Sequence, residues 1–231
     1  MKRSAFTLLE AVVVIAIIAV LVLLAIPALQ VSSAHTSHGA EDLSNLKQLG
    51  IGIQQYLVDH DEVMFSQAPI TDANGVRMAW SQTLQSKYLS DWRVFRSPFD
   101  TRLDSSVAPI PLSYGLNKNA LTPAANSLSH MAGDTFQGES SQFAFPSELI
   151  LLAANPTASP TLSFTTVSTD HATISPPPAS PPLGTHGNRR LVNVLHADFS
   201  SSQLLWKDYS DSTSVPNGQR RWLPLGSPAK P

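Results

Sequence analysis

The residue that asks most of its surroundings is Glu10. It stands at the head of an apolar run, Ala11 to Leu29, in which no polar side chain occurs from Ala11 to Ile26. A bilayer core takes about 20 mostly apolar residues as a helix. Phe6 to Leu29 reaches that length only with Glu10 inside it. A carboxylate in such a setting is costly unless it is matched, and it marks function by default. Three other groups have residue types that could do chemistry. His186, His196 and Asp198 are the types of a hydrolytic relay, and His196 and Asp198 would share one face of a strand. The sequence holds no Gly-x-Ser-x-Gly and no His-Glu-x-x-His to go with them, so it reads as a non-enzyme with no catalytic residues. His35 and His38 have a spacing that could share a metal, but they lie in a small, polar juxtamembrane stretch. Asp59-His60-Asp61-Glu62 imitates a calcium loop but lacks its glycine and remaining ligands, and reads as a helix end with its turn.

The elements that must position these groups follow from composition and period. A length of 231 residues suggests one membrane segment plus one globular domain. A net charge of -2 with 14% charged residues excludes a basic nucleic-acid-binding surface. The absence of cysteine excludes a disulfide framework and a thiolate metal site. Beyond Pro27 the chain turns polar, and from Glu41 a helical pattern returns. Leu43, Leu46, Gly50, Ile53 and Leu57 recur at three- and four-residue steps, with Asn45, Lys47, Gln48 and Gln55 off the stripe. The spacing predicts an amphipathic helix over 41–58. One helix from Phe6 to Val58 would be about 80 Å long at 1.5 Å per residue.

Strand signals are few. Leu149 to Ala153 is short and apolar enough for a buried strand, and a C-terminal hairpin spans 191–206 around Asp198-Phe199-Ser200-Ser201-Ser202. Residues 155–187, rich in Ser, Thr and Pro, read as a surface loop. Trp206, Tyr209 and Trp222 are candidates to pin the irregular tail. The expected fold class is α+β: a long N-terminal helix packed on a small antiparallel sheet with long irregular loops.

Ser4-Ala5-Phe6-Thr7-Leu8-Leu9-Glu10 with its apolar continuation resembles the N-terminus of type IV prepilins and type II secretion pseudopilins. The resemblance implies a pilin-like fold and a leader of residues 1–5 cut by prepilin peptidase between Ala5 and Phe6. It implies N-methylation of Phe6, an assembly role for Glu10 and a helix kink at Pro27. The residue before the cut is Ala5, where the family usually has glycine. Leu43 to Gly50, Trp80 to Leu84, Val94 to Pro98, Ser113 to Asn117, Phe145 to Ala153 and His186 to Asp198 resemble blocks of a pseudopilin-like family of planctomycete and verrucomicrobial bacteria. Two positions depart from it: Ser97 stands where relatives often have cysteine, and Phe199 where a turn glycine is expected. The family implies a polymerisation helix over 6–29 and a periplasmic domain over 30–231, anchored by a single pass in the inner membrane. Its implied partners are further copies of itself, prepilin peptidase, minor pseudopilins, the inner-membrane secretion platform and the lipid bilayer, with no nucleic acid. No cofactor is required. Major pseudopilins carry calcium near their C-terminal loops, which raises a calcium site at Asp198, Asp208 and Asp211, not matched residue by residue. The alternative is a secreted or anchored binding or hydrolytic domain behind an ordinary signal peptide, cut after Ser32-Ser33-Ala34.

Overall fold

The periodic stretch after Pro27 is realised as helix α1, residues 37–59. The computed structural model describes residues 37–71, 75, 77–103, 109–121, 139–159 and 161–225. The leader, Phe6, Glu10 and Pro27 lie outside these residues. Among the described residues no helix is long and apolar enough to cross a membrane. The described residues from Gly39 onward pack as one unit.

Helix α1 buries Gly39, Asp42, Leu46, Leu49, Ile53, Tyr56 and Leu57, at steps of three and four. Leu46, Gly50, Ile53 and Leu57 lie on the expected stripe. Leu43 does not: it is half-buried, and Asp42 takes the inward position one residue earlier. A helical period of 3.6 carried back from Leu49 and Leu46 falls on residue 42. Lys47, Gln48 and Gln55 are exposed. The helix ends in Asp61 (φ 52°) and Glu62 (φ 64°), and the Glu62 amide donates to the Leu57 carbonyl at 2.9 Å. Left-handed residues that return an amide to the last turn are how helices close, so the acidic tetrad is a helix end and turn.

Strands β1 (Ile70–Thr71) and β2 (Arg77–Met78) form a small ladder before helix α2 (Trp80–Lys87). The main sheet is built from β3 (Tyr114–Asn117), β4 (Ile150–Ala154), β5 (Thr173–Ile174), β6 (Leu191–His196) and β7 (Ser201–Leu205), in the order β5-β3-β4-β6-β7. It is mixed, not antiparallel, because β5 runs parallel to β3. A parallel neighbour needs a long crossover, and the segment after β4 supplies it. That segment corrects the surface-loop expectation for 155–187: Phe164, Ser168, Ala172, Ile174, Leu183 and Thr185 are buried, and β5 lies inside it.

Both faces of the sheet are covered. Tyr114, Leu116, Leu152, Ala154 and Leu195 join the core under α1. Ile150, Ala153, Ile174, Val192 and Val194 join a second core with Trp206, Tyr209 and Trp222 from helices α3 (Trp206–Tyr209) and α4 (Asn217–Trp222). The tail is therefore pinned by the three aromatic residues named from the sequence. The Trp222 indole donates to the Tyr209 carbonyl at 2.8 Å, and the Trp206 indole to the Ala179 carbonyl at 3.1 Å. In β4 the register shifts between Ile150 and Leu152, a bulge that points both Leu151 and Leu152 at the α1 side.

The β6–β7 turn keeps a left-handed residue where glycine was expected: Phe199 has φ 62°. The Phe199 ring packs against the α1 core, and its carbonyl accepts from Lys47 Nζ at 3.0 Å. Asp198 Oδ1 accepts from the Ser200 amide at 2.9 Å and the Ser200 hydroxyl at 2.6 Å. Side-chain anchoring and an aspartate-stabilised turn offset the steric cost that glycine avoids.

Candidate functional site

The described chain gathers its polar side chains most tightly around Asp42, which is completely buried on the inner face of α1. The Ser97 hydroxyl donates to its Oδ1 at 2.5 Å and the Tyr114 hydroxyl to the same oxygen at 2.6 Å. Oδ2 accepts from Asn193 Nδ2 at 2.9 Å, and that amide also donates to the Gly39 carbonyl at 3.1 Å. Ser97 comes from the loop after the 3-10 turn Trp92–Phe95, Tyr114 from β3 and Asn193 from β6. One carboxylate thus ties the helix to two strands and a loop. Buried polar groups are retained when hydrogen-bonded, yet no cation shares this site among the described ion pairs. Burial pushes the Asp42 carboxyl above its ordinary value against those three hydrogen bonds, and Glu41 adds to the rise. Burial, and then the Asp42 charge, holds Tyr114 far above the usual phenol range.

A second buried carboxylate supports the loop that carries Ser97. Asp100 pairs with the Arg102 guanidinium at 2.6 Å and accepts from the Ser113 hydroxyl at 2.7 Å. Arg102 also donates to the carbonyls of Thr166 at 2.6 Å and Leu112 at 2.9 Å. Burial favours the neutral acid at Asp100, but the bonds from Arg102 and Ser113 outweigh it and hold the carboxyl low. Beside the helix lies an open polar cavity of about 410 Å³, bordered by Glu41, Asn45, Asp91, Arg93, Arg96 and Ser97. Its charges are largely spent locally: Arg93 pairs with Asp91 at 2.7 Å, and Arg96 donates to the Asp100 carbonyl at 2.9 Å.

Of the residues chosen from the sequence for hydrolysis or metal binding, His196 and Asp198 lie near enough to influence each other's charge, but no described hydrogen bond or ion pair joins them. His186 lies between Thr185 at 2.9 Å and Gln203 at 2.6 Å and stacks on Phe99, with ring centroids 4.9 Å apart. His196 Nε2 shares a hydrogen with the Ser202 hydroxyl at 2.7 Å, and burial lowers its affinity for a proton. Asp198 holds its own turn, Asp211 accepts from the amides of Thr213 at 3.1 Å and Ser214 at 3.0 Å, and the Asp208 carbonyl receives Arg221 at 2.9 Å. Among the described residues no three His, Cys, Asp or Glu side chains form a metal-binding group. Glu10, Phe6, Ala5 and Pro27 lie outside the described residues.

Sequence reasoning missed Asp42 and the hydrogen-bonding role of Ser97. The available signal was an aspartate in helical register with Leu46, Leu49 and Ile53. No curated protein and no solved structure matches the chain. Residues 1–26 do match a family model, and they carry the prokaryotic N-terminal methylation motif typical of type IV pilin and pseudopilin precursors processed by prepilin peptidase.

Proposed function

We propose that the chain is a pseudopilin: a structural, non-enzymatic subunit that polymerises through its N-terminal helix into a fibre serving type II protein secretion. The methylation motif over residues 1–26 carries this reading. Prepilin peptidase cuts between Ala5 and Phe6 and methylates Phe6. An α-amino group ordinarily titrates at about pH 8, so the new terminus is largely cationic at neutral pH. Glu10 lies one helical turn on and can pair with this terminus or with that of a neighbouring copy. A matched charge is tolerated in apolar surroundings where a lone one is not, and the intermolecular pair sets one axial offset between subunits. Pro27 kinks the helix. Helix α1 on its sheet supports a pilin-like fold, with the precursor held by a single pass in the inner membrane and its domain in the periplasm. Minor pseudopilins and the inner-membrane platform are the assembly partners, and the planctomycete and verrucomicrobial pseudopilin-like group is the proposed subfamily.

The mature protein, analysed by mass spectrometry, should begin at Phe6 and be heavier by one methyl group. A terminus at His35 would instead indicate an ordinary signal peptide, and an intact Met1 a simple anchor. Glu10→Leu should still insert and be cleaved but fail to form cross-linkable, shearable fibres. Normal fibres from that variant would remove Glu10 as the register device.

A further inference from the structure

Asp42 and Asn193 leave an asymmetry that the architecture alone does not require. Asp42 Oδ1 already accepts two hydroxyl donors, from Ser97 and Tyr114, whereas among the described residues Oδ2 accepts only the Asn193 amide. Asn193 Oδ1 is buried and has no hydrogen-bond partner among the described residues. The Asn193 amide is also the only side-chain donor on the Gly39 carbonyl among the described hydrogen bonds. A proton arriving at this carboxylate is therefore placed on Oδ2, the oxygen with fewer donors and the one beside Asn193.

We propose that Asp42, Asn193 and Gly39 form a proton-linked clamp: while Asp42 is ionised the Asn193 amide holds the α1 turn at Gly39 against β6, and protonation of Asp42 turns that amide over and releases the turn. The hydrogen-bond inventory dictates the direction. A protonated Oδ2 carries a hydrogen that an acceptor matches better than the Nδ2 donor does. Turning the carboxamide by 180° presents Oδ1 to the new proton and gives the orphaned oxygen its missing partner. The same turn places Oδ1 opposite the Gly39 carbonyl, two acceptors where a donor and an acceptor had met. The helix loses its bond to β6 at this turn and gains a repulsion.

The charged and titratable groups around Asp42 do not quench the switch. Glu41, on its own helix, adds negative charge and favours protonation. From β3 comes Tyr114, which stays neutral over the accessible pH range. From the loop comes Ser97, whose neighbour Arg96 is turned to the Asp100 carbonyl. β6 contributes the neutral Asn193. Because the site is desolvated, the transition lies above the ordinary carboxylate range, where Asp100, held low by its own partners, is still ionised.

The test uses the full chain in detergent micelles, labelled with ¹³C at aspartate carboxyls and ¹⁵N at asparagine side chains, and hydrogen exchange over residues 39–46. As pH falls, the Asp42 carboxyl and the Asn193 side-chain amide should titrate with one common midpoint. Exchange protection at 39–46, corrected for intrinsic rates, should drop roughly fivefold, as for one lost buried hydrogen bond. Asp42→Asn, a neutral isostere of the protonated acid, should show the low protection already at neutral pH. Asn193→Leu should show it at every pH. An Asp42 carboxyl that titrates while the Asn193 amide does not move would overturn the clamp, and so would Asp42→Asn with full protection at neutral pH. The spectra of the parent chain decide the question even if a variant misfolds. None of these readouts depends on fibre formation.

Discussion

Asp100 and Arg102 stand two residues apart, and their pair joins the loop after Phe95 to Leu112, just before β3, and to Thr166 in the crossover segment. The two buried acids of this region respond to pH with opposite signs. Asp100 is held below its unfolded value, so its contribution is present above pH 3.8 and is lost as pH falls through the folded value. Asp42 is raised, so the folded state binds the proton more tightly than the unfolded chain. Its contribution is fully present below 3.8 and is lost as pH rises through the folded value. Arg102→Met should cost roughly 1.5–3 kcal/mol at neutral pH, the scale of hydrogen bonds to a charged group. It should also remove part of the acid sensitivity, because the carboxylate it leaves is no longer stabilised. Urea melts of parent and variant at neutral and acidic pH check both points. A variant as stable as the parent at neutral pH would reject the role given to the pair.

Helix α1 owes its seat to shape as much as to apolarity. Leu46, Leu49 and Ile53 are fully buried, and Gly52 lets Leu89 approach so closely that a Cβ would stand 2.8 Å from its side-chain carbons. Leu49→Ala should cost about 2–5 kcal/mol. Leu43→Ala, on the half-buried flank, should cost no more than about 1–1.5 kcal/mol, half the transfer free energy of a fully buried leucine. Equal losses in denaturant melts would mean the inward face is wrongly assigned. The period of α1, the hairpin of β6 and β7 and the pinning aromatic residues were legible in the sequence because local spacing specifies them. Asp42 was not, because its three partners lie 55, 72 and 151 residues away, and a lone aspartate in a stripe reads as a flaw. Strand β5 was hidden for a similar reason. Two residues in a Ser-, Thr- and Pro-rich segment carry no alternation, and only the neighbouring β3 makes them a strand. Phe199 misled in the other direction, since its left-handed backbone is maintained by tertiary contacts where glycine would need none.

At the scale of the whole molecule, the sheet is lined on one face by α1 and on the other by the C-terminal aromatic layer, each with its own buried cluster. Asn117 joins chain-distant parts across the second layer, donating to the carbonyls of Ile150 at 2.8 Å and Trp222 at 3.3 Å. A chain lacking residues 1–34 retains every residue of both clusters. It should be a soluble monomer with one cooperative denaturant transition, seen identically by tryptophan fluorescence and circular dichroism. Two separated transitions, or aggregation at low concentration, would show that the N-terminal segment is needed to complete the fold.

The bulge in β4 reaches further than a local irregularity. In an unbroken strand Ile150 and Ala154, four residues apart, would face the same way. Here Ile150 belongs to the aromatic layer and Ala154 to the α1 layer. The extra residue is a phase shifter: it advances the strand by half a period, so its two ends answer to different neighbours. Flattening the bulge with every residue kept would put each side chain beyond it into the wrong compartment, whereas deleting Leu151 would leave Leu152, Ala153 and Ala154 facing the interiors they already fill.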